Sequence, residues 1–160
     1  MKILTVNLIV ILGLCFPALC QTDISFQNEL QRSIDRGIDF LKISQSPDGY
    51  WTNADHPAVT AIALVAYQGN PQKPKTTPNW VEKGYQYILK HVQPNGSIYV
   101  PNKGLANYNT ALSMMAMLAS GDAKFNSTIL NARRFLIGQQ WDLGVKGKTD
   151  HPLDGGVGYG

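Results

Sequence analysis

The sequence predicts an all-α fold built from helical hairpins, and three observations favour it. First, an internal repeat has a period of 47 residues, because Gly37 precedes Gly84 and Gly49 precedes Gly96 by that interval. Second, an apolar segment of helical length follows each of these Gly-marked turns. Third, no segment shows the alternating pattern of a β-strand. One hairpin cannot bury its apolar helix alone, so we expect the copies to stack as part of a solenoid or a closed double ring.

The segments before the turns predict amphipathic helices on the outside of the stack. The first spans residues 26–43 and has an apolar face, with its charged side chains on the other sides. Its apolar face is formed by Leu30, Ile34, Ile38 and Leu41. The second runs from Trp80 to His91, and we expect Thr77 as its N-cap and Pro78 in its first turn.

The segments after the turns predict buried inner helices. Pro57 to Tyr67 and Asn107 to Ser120 are apolar on almost every side, which is typical of helices surrounded by protein. Pro57 suits the first turn of a helix, where its missing N–H is not needed. Both segments carry a Thr-Ala pair, at Thr60-Ala61 and Thr110-Ala111.

Met1 to Cys20 is typical of a secretory signal peptide. Lys2 supplies the positive start, an apolar run follows, and Ala18 and Cys20 occupy the −3 and −1 positions of a small-residue cleavage site. One alternative is an uncleaved membrane anchor, for which the apolar run is short. Another is a lipoprotein signal, for which the residue before the cysteine is bulky. We expect a secreted or periplasmic protein with one repeat domain over residues 21–160.

Composition limits the remaining classes of function. Both cysteines, Cys15 and Cys20, lie in the predicted signal peptide, so we expect a domain held by packing rather than disulfides. The formal charge of +3 falls to +2 without Lys2, which is too small to indicate a nucleic-acid partner. No apolar run after the signal peptide is long enough to cross a membrane. The chain stops on the Gly-rich turn sequence LDGGVGYG, so we expect the domain to be incomplete at Gly160.

Three stretches resemble the QW motif of squalene and oxidosqualene cyclases. The first carries it at Gly37, Phe40, Leu41, Gln45, Gly49 and Trp51. The second carries it at Gly84, Gln93 and Gly96, with the Gln one place late and an Ile in place of the Trp. The third carries it at Gln140 and Gly144. The final DGGVGYG also resembles the turns of prenyltransferase/squalene oxidase repeats, and the resemblance extends from about residue 34 to residue 160.

This resemblance implies an α/α toroid, in which inner and outer rings of helices surround a cavity. It also implies that the motif Gln caps helix ends and that the motif Trp stacks on the neighbouring outer helix. Elementary chemistry agrees, because the Gln45 side chain can bond free backbone groups at a helix end. Gly49 permits a positive φ, and Trp51 brings a large apolar area to a junction. We therefore interpret these residues as structural rather than catalytic.

The enzymes of this fold use residues that the sequence does not provide. Squalene–hopene cyclases protonate their substrate with a D-x-D-D cluster, and protein prenyltransferases bind zinc through Asp, Cys and His. The sequence contains no D-x-D-D cluster, and no Cys follows residue 20. Asp55 and His56, directly before an apolar helix, are weak candidates for a metal site, although an Asp there can also serve as a helix cap. We predict no cofactor.

Two main functional hypotheses follow. The first is a secreted, non-catalytic toroid that binds an apolar ligand or a protein partner. The alternative is a terpene cyclase-like or prenyltransferase-like enzyme whose catalytic residues lie beyond Gly160. A third hypothesis is a scaffold of the cell envelope. An acidic cluster or a zinc set beyond Gly160 would favour the enzyme, whereas further QW-like repeats without either would favour binding.

Overall fold

The computed structural model describes residues 24–160, and the predicted signal peptide Met1 to Cys20 lies outside them. Within the described residues the backbone forms five α-helices, one short 3-10 helix and no β-strand. The elements are α1 (Ile24–Ser44), α2 (Pro57–Gln68), α3 (Asn79–Leu89), α4 (Ala106–Ser120), the 3-10 helix Ala123–Phe125 and α5 (Asn126–Gly138). The all-α prediction is confirmed.

The start of α3 differs from the prediction. Thr77 was expected as the N-cap, but Pro78 occupies that position with an extended backbone, φ −64° and ψ 150°. The Pro78 carbonyl accepts hydrogen bonds from the N–H groups of Val81 and Glu82, at 3.0 and 3.1 Å. The N-cap of α3 therefore lies one residue later than predicted, and because proline has no side-chain acceptor the helix begins without a side-chain cap.

Helices α2 and α4 lie side by side and run parallel. Their N-termini are joined because the Asn109 Oδ1 atom accepts a hydrogen bond from the N–H of Ala58, at 3.0 Å. Their C-terminal ends are bridged by the Tyr85 hydroxyl of α3. This hydroxyl accepts a hydrogen bond from the Gln68 amide of α2 at 3.1 Å and donates one to the Ala116 carbonyl of α4 at 3.0 Å. The two apolar helices predicted to be buried therefore form the centre of the fold.

The other helices pack onto this pair. Helix α3 packs against α2, α5 packs against α4, and α1 touches α2 over a smaller area. The start of α1 meets the end of α2, where the Gln31 amide donates to the side-chain oxygen of Asn70 at 3.3 Å, so these two helices are antiparallel. No residue of α1 is fully buried. Leu30, expected on its apolar face, is 52% exposed, and α1 is an edge helix with one free side.

The hydrophobic core lies between the α2–α4 pair and the helices packed on it. It contains four aromatic residues, Trp51, Tyr67, Tyr85 and Phe125, and a set of aliphatic side chains. Its largest fully buried members are Tyr85, Phe125, Leu64, Ile88, Ile98, Met117 and Val81. None of the helices in the described residues is long and apolar enough to cross a membrane.

Candidate functional site

The first turn, residues 45–51, joins α1 to α2 and also touches α3. Its backbone is closed by two hydrogen bonds, from Ser46 N to the Tyr50 carbonyl at 2.8 Å and from Gly49 N to the Ser46 carbonyl at 2.9 Å. The Gln45 amide donates to the Gly49 carbonyl at 3.0 Å and to the Trp80 carbonyl in α3 at 2.8 Å. Gln45 therefore holds the turn closed and ties it to α3.

Two glycines allow α3 to approach the first turn closely. Gly49 has a φ of 96°, and a Cβ atom there would collide with the backbone carbonyl of Lys83. At Gly84 a Cβ atom would lie 3.0 Å from a methyl group of Leu64 and 3.2 Å from the ring of Trp51. The glycines at these motif positions therefore serve helix–turn packing.

Trp51 fills the junction between α1, α2 and α3. The residue is 4% exposed, and its indole N–H donates to the Leu41 carbonyl at 2.8 Å. Its ring meets the edge of Trp80 with 6.1 Å between centroids. The Trp51 backbone N–H donates to the Thr60 hydroxyl at 3.4 Å. The sequence marked Thr60 only as half of a repeated Thr-Ala pair, and its role as an acceptor for the turn was missed.

The second turn, residues 92–98, has the same backbone bonds as the first. Gln93 N donates to the Ser97 carbonyl at 2.8 Å, and Gly96 N donates to the Gln93 carbonyl at 2.9 Å. Ile98 N donates to the Thr110 hydroxyl at 2.8 Å, as Trp51 does to Thr60. A Cβ atom at Gly96 would lie 2.6 Å from the backbone carbonyl of α5 residue Asn131.

Gln93 does not repeat the role of Gln45. By its backbone bonds Gln93 corresponds to Ser46, and Val92 stands where the first turn has Gln45. The Gln93 amide donates to the carbonyls of His91 and Tyr99, at 3.0 and 3.1 Å, within its own turn. Because Gln93 is displaced by one place, the second turn lacks a side-chain hydrogen bond like the one from Gln45 to α3.

The third turn, residues 140–157, contains an insertion. Trp141 N donates to the Gly156 carbonyl at 2.9 Å, and Gly155 N donates to the Trp141 carbonyl at 2.8 Å, which is the pattern of the first two turns. The Gln140 amide donates to the Gly155 carbonyl at 3.4 Å. Gln140 thus matches Gln45, but the position predicted for Gly144 is occupied by Gly155. Gly144 lies inside the insertion.

Carboxylates hold the inserted segment, residues 142–154, in shape. Asp154 accepts from the N–H groups of Leu143 and His151 at 2.8 Å each, and these bonds together lower the pKa of its carboxyl group. Asp150 accepts from Val145 N at 3.1 Å, beside Gly144. The carboxylates of this segment therefore bond the backbone, and their contacts are those of a structural loop.

The two weak metal candidates lie apart from any ligand set. Asp55 forms an exposed ion pair with Lys103 at 2.9 Å and does not cap α2. His56 occupies the N-cap position of α2 without a side-chain capping bond, and its Nδ1 atom is buried without a hydrogen-bond partner. Among residues 24–160 no three His, Cys, Asp or Glu side chains are grouped so that they could hold a metal ion.

An apolar groove lies between α1 and α2 and is called the α1–α2 groove below. Its volume is about 300 Å³. Its lining residues are Phe40, Leu41, Ser44, Trp51, Thr52, Val59, Ile62, Ala63 and Ala66. Phe40 is 63% exposed and Ile62 is 48% exposed, so large apolar side chains border it. A larger cleft of about 600 Å³ beside Gln31 and Pro71 is lined mainly by polar and charged side chains.

The corresponding positions between α3 and α4 are covered by protein. Tyr87, which is 47 residues after Phe40, is 5% exposed and donates a hydrogen bond to the Ala54 carbonyl. Burial, and the nearby Tyr50 and Asp55, raise the pKa of Tyr87 to about 12. Gly84 is in contact with Leu64 and Trp51, as described above. Gly37, its counterpart in α1, has nothing within 4 Å of its Cβ position.

One titratable group lies at the end of α3, next to Tyr87. The His91 ring is 4.8 Å from the Tyr87 ring, and burial lowers the His91 pKa, with a smaller contribution from Lys90. His91 corresponds in sequence to Ser44, a lining residue of the α1–α2 groove. At this position the groove has a serine hydroxyl where the covered counterpart has an imidazole.

Comparison with known proteins gives no family assignment. No family model matches the chain, and no solved structure matches it. Among the described residues, the groove between α1 and α2 is a cleft lined mainly by apolar side chains. A surface of this kind binds by excluding water from apolar groups.

Proposed function

We propose that the chain is a binding module made of helical-hairpin repeats of the α/α-toroid type, and that the α1–α2 groove is its binding site. The observation that carries this proposal is the contrast between two equivalent aromatic residues. Tyr87 is 5% exposed, whereas Phe40, which lines the groove, is 63% exposed. A face that is apolar, open and equivalent to a packed one is suited to an apolar partner.

The energetic argument rests on the large side chains that border the groove. Phe40 and Ile62 expose 63% and 48% of their surfaces. Full burial of a side chain of this kind contributes up to about 1.5–3 kcal/mol, and the groove holds several such groups. A ligand that covers them gains affinity without any charged contact, so the proposed ligand is an apolar molecule or the apolar side of a protein.

The residues of the QW-like motif have a supporting role in this proposal. Gln45, Gly49 and Trp51 keep α1, α2 and α3 in a fixed arrangement, and this arrangement shapes the groove. Trp51 and Leu41 also line it. Export through the N-terminal segment remains part of the proposal and places binding outside the cytoplasm.

The binding test uses 8-anilinonaphthalene-1-sulfonate, a dye whose fluorescence rises in apolar sites. We expect saturable binding to the chain and at least about tenfold weaker binding to Ile62→Asp, because a charge in the groove opposes apolar contact. The matched control is Ile43→Asp, on the same layer but at an α1 position that is 80% exposed and outside the groove. Equal dye binding by both variants, with native near-ultraviolet circular dichroism, would contradict the proposed site.

A further inference from the structure

We infer that Asn95, in the second turn, is a covalent modification site, where deamidation of the side chain is held back by the packing of α5 and loosens α5 once it occurs. Asn95 is exposed, and Asn95-Gly96 is the single Asn-Gly pair in the sequence. Asn-Gly pairs deamidate faster than other Asn pairs, because glycine lacks the side chain that hinders ring closure. This inference is independent of the α1–α2 groove.

The reaction needs water as its only co-reactant. The Gly96 N–H gives its proton to a base, and its nitrogen forms a bond to the Asn95 Cγ atom, which closes a succinimide ring. The bond from Cγ to the side-chain nitrogen breaks, and this nitrogen takes up a proton and leaves as ammonia. Water then opens the ring at either carbonyl, giving aspartate or isoaspartate. In isoaspartate the main chain runs through Cγ and is longer by a methylene group.

The amide at this position distinguishes the second turn from the other two. The corresponding pairs are Asp48-Gly49 in the first turn and Asp154-Gly155 in the third. A negatively charged carboxylate is a far poorer target for a nitrogen nucleophile than an amide is. At neutral pH the two Asp-Gly pairs therefore form the ring much more slowly, and loss of ammonia from an Asx-Gly turn is confined to Asn95.

Two hydrogen bonds restrain the side chain that must react. The Oδ1 atom of Asn95 accepts from Ser97 N at 3.0 Å and from Ser97 Oγ at 2.6 Å. Ser97 is fully buried, so both donors are fixed by the fold. Ring closure brings Cγ to bonding distance of the Gly96 nitrogen and redirects its oxygen. Both bonds therefore oppose the reaction in the folded chain.

The attacking nitrogen is restrained by α5. The Gly96 N–H donates to the Gln93 carbonyl at 2.9 Å, which opposes loss of its proton. Gly96 is buried with a φ of 88°, and a Cβ atom there would lie 2.6 Å from the Asn131 carbonyl of α5. The turn therefore has little room to change shape while α5 is in place. Local opening of α5 removes this restraint, so we expect the opening to set the rate of deamidation.

The isoaspartate product does not fit the second turn. Its additional methylene group displaces Gly96, whose close approach to Asn131 leaves no space for such a shift. The aspartate product keeps the length of the main chain and matches Asp48 of the first turn. Formation of isoaspartate thus acts as a slow, irreversible switch that weakens the contact of α5 with the turn, whereas formation of aspartate leaves this contact in place.

The first test compares the full chain with a synthetic peptide of residues 91–103 in the same mildly alkaline buffer. Trypsin releases the same fragment from the chain after incubation, and mass spectrometry with chromatography separates its asparagine, aspartate and isoaspartate forms. We expect deamidation at Asn95 to be at least about tenfold slower in the folded chain than in the peptide. Equal rates would overturn the inference.

A matched pair of variants tests the control by α5. Ile129 is half-buried against the core, so Ile129→Ala loosens α5 and is expected to speed deamidation at least about threefold. Its neighbour Leu130 is 53% exposed, and Leu130→Ala is expected to leave the rate unchanged. If circular dichroism shows that Ile129→Ala does not fold, Ser97→Ala takes its place, because it removes the hydroxyl bond to Asn95 and is also expected to speed the reaction. Rates that match the unmodified chain contradict control by the fold.

Hydrogen exchange of α5 tests the consequence of the modification. The isoaspartate form, separated from the incubated chain, is expected to show faster amide exchange in α5 than the unmodified chain. The control is Asn95→Asp, which carries the other product and is expected to exchange like the unmodified chain. Unchanged exchange in the isoaspartate form would rule out the switch, and equal acceleration in both forms would show that charge rather than main-chain length loosens α5.

Discussion

The first and third turns of this chain share a glutamine and a glycine that make the same hydrogen bond, yet their surroundings differ. In the first turn Gln45 reaches past the Gly49 carbonyl to α3, and Trp51 is buried beneath that helix. In the third turn Gln140 meets the Gly155 carbonyl at 3.4 Å and is exposed. The motif residues thus gain their packing contacts only where a following outer helix lies over the turn.

The inserted segment adds to this difference. Thirteen residues lie between Trp141 and Gly155, whereas two lie between Ser46 and Gly49, so the third turn contains eleven additional residues. Trp141, at the start of the third turn, is 49% exposed. The two turns therefore provide two matched pairs, Gly49 with Gly155 and Gln45 with Gln140, together with two tryptophans at different positions of the turn, since Trp141 corresponds to Ser46. Substitutions at these pairs measure how much stability comes from the neighbouring helix.

The largest difference is expected for the two tryptophans. Trp51→Ala removes a buried ring and the indole bond to Leu41, which costs about 3–5 kcal/mol of unfolding free energy. Trp141→Ala removes a half-exposed ring and is expected to cost less than about 1 kcal/mol. Urea denaturation of the two variants and the parent chain measures both changes. Equal losses would show that burial under α3 does not determine the contribution of the ring.

The second pair is Gly49 and Gly155. Gly49→Ala meets both a positive φ of 96° and the Lys83 carbonyl, so we expect a loss of about 2–4 kcal/mol. Gly155→Ala has a φ of 79° but free space at its Cβ position, so only the backbone cost of about 1–2 kcal/mol applies. Thermal unfolding of both variants gives the comparison. A Gly49 variant as stable as the Gly155 variant would mean that α3 moves away from the turn at little cost.

Much of the helical framework could be predicted from the sequence, because local signals mark its ends. Pro57 begins α2 as predicted, and α4 ends at Gly121, whose φ of 66° suits glycine. The third turn was misplaced, because Gly144 lies closer to Gln140 than the turn glycine, Gly155, and spacing alone does not reveal an insertion. The sequence shows that Gln93 is shifted by one place, but it does not show that this shift leaves Gln93 without a side-chain hydrogen bond to another helix.

The α1–α2 groove could not be predicted for a related reason. On the α2 side its lining comes from a segment that the sequence predicts to be buried, and on the α1 side it includes Phe40, which lies outside the predicted apolar face of that helix. Tyr87 is covered and Phe40 is not, and this difference depends on whether another helix lies next to the residue. The local periodicity of the sequence carries no information about such a neighbour. Open and covered copies of the same sequence pattern are therefore distinguished only by their tertiary contacts.

The third pair, Gln45 and Gln140, gives the smallest expected effect and the most direct measure of the side-chain bond to the next helix. Gln45→Ala leaves the Trp80 and Gly49 carbonyls without this partly buried donor and is expected to cost about 1–2 kcal/mol. Gln140→Ala loses one long, exposed bond and is expected to change stability by less than about 0.5 kcal/mol.

Denaturation of Gln45→Glu separates the hydrogen bond from simple packing. Glutamate has nearly the same shape as glutamine, but an ionised carboxylate cannot donate to the two carbonyls. We therefore expect Gln45→Glu to be at least as destabilising as Gln45→Ala at neutral pH and to recover part of the loss below pH about 4, where the carboxyl group is protonated. If Gln45→Glu retained the stability of the parent chain at neutral pH, donation to Trp80 would not be what holds the first turn against α3.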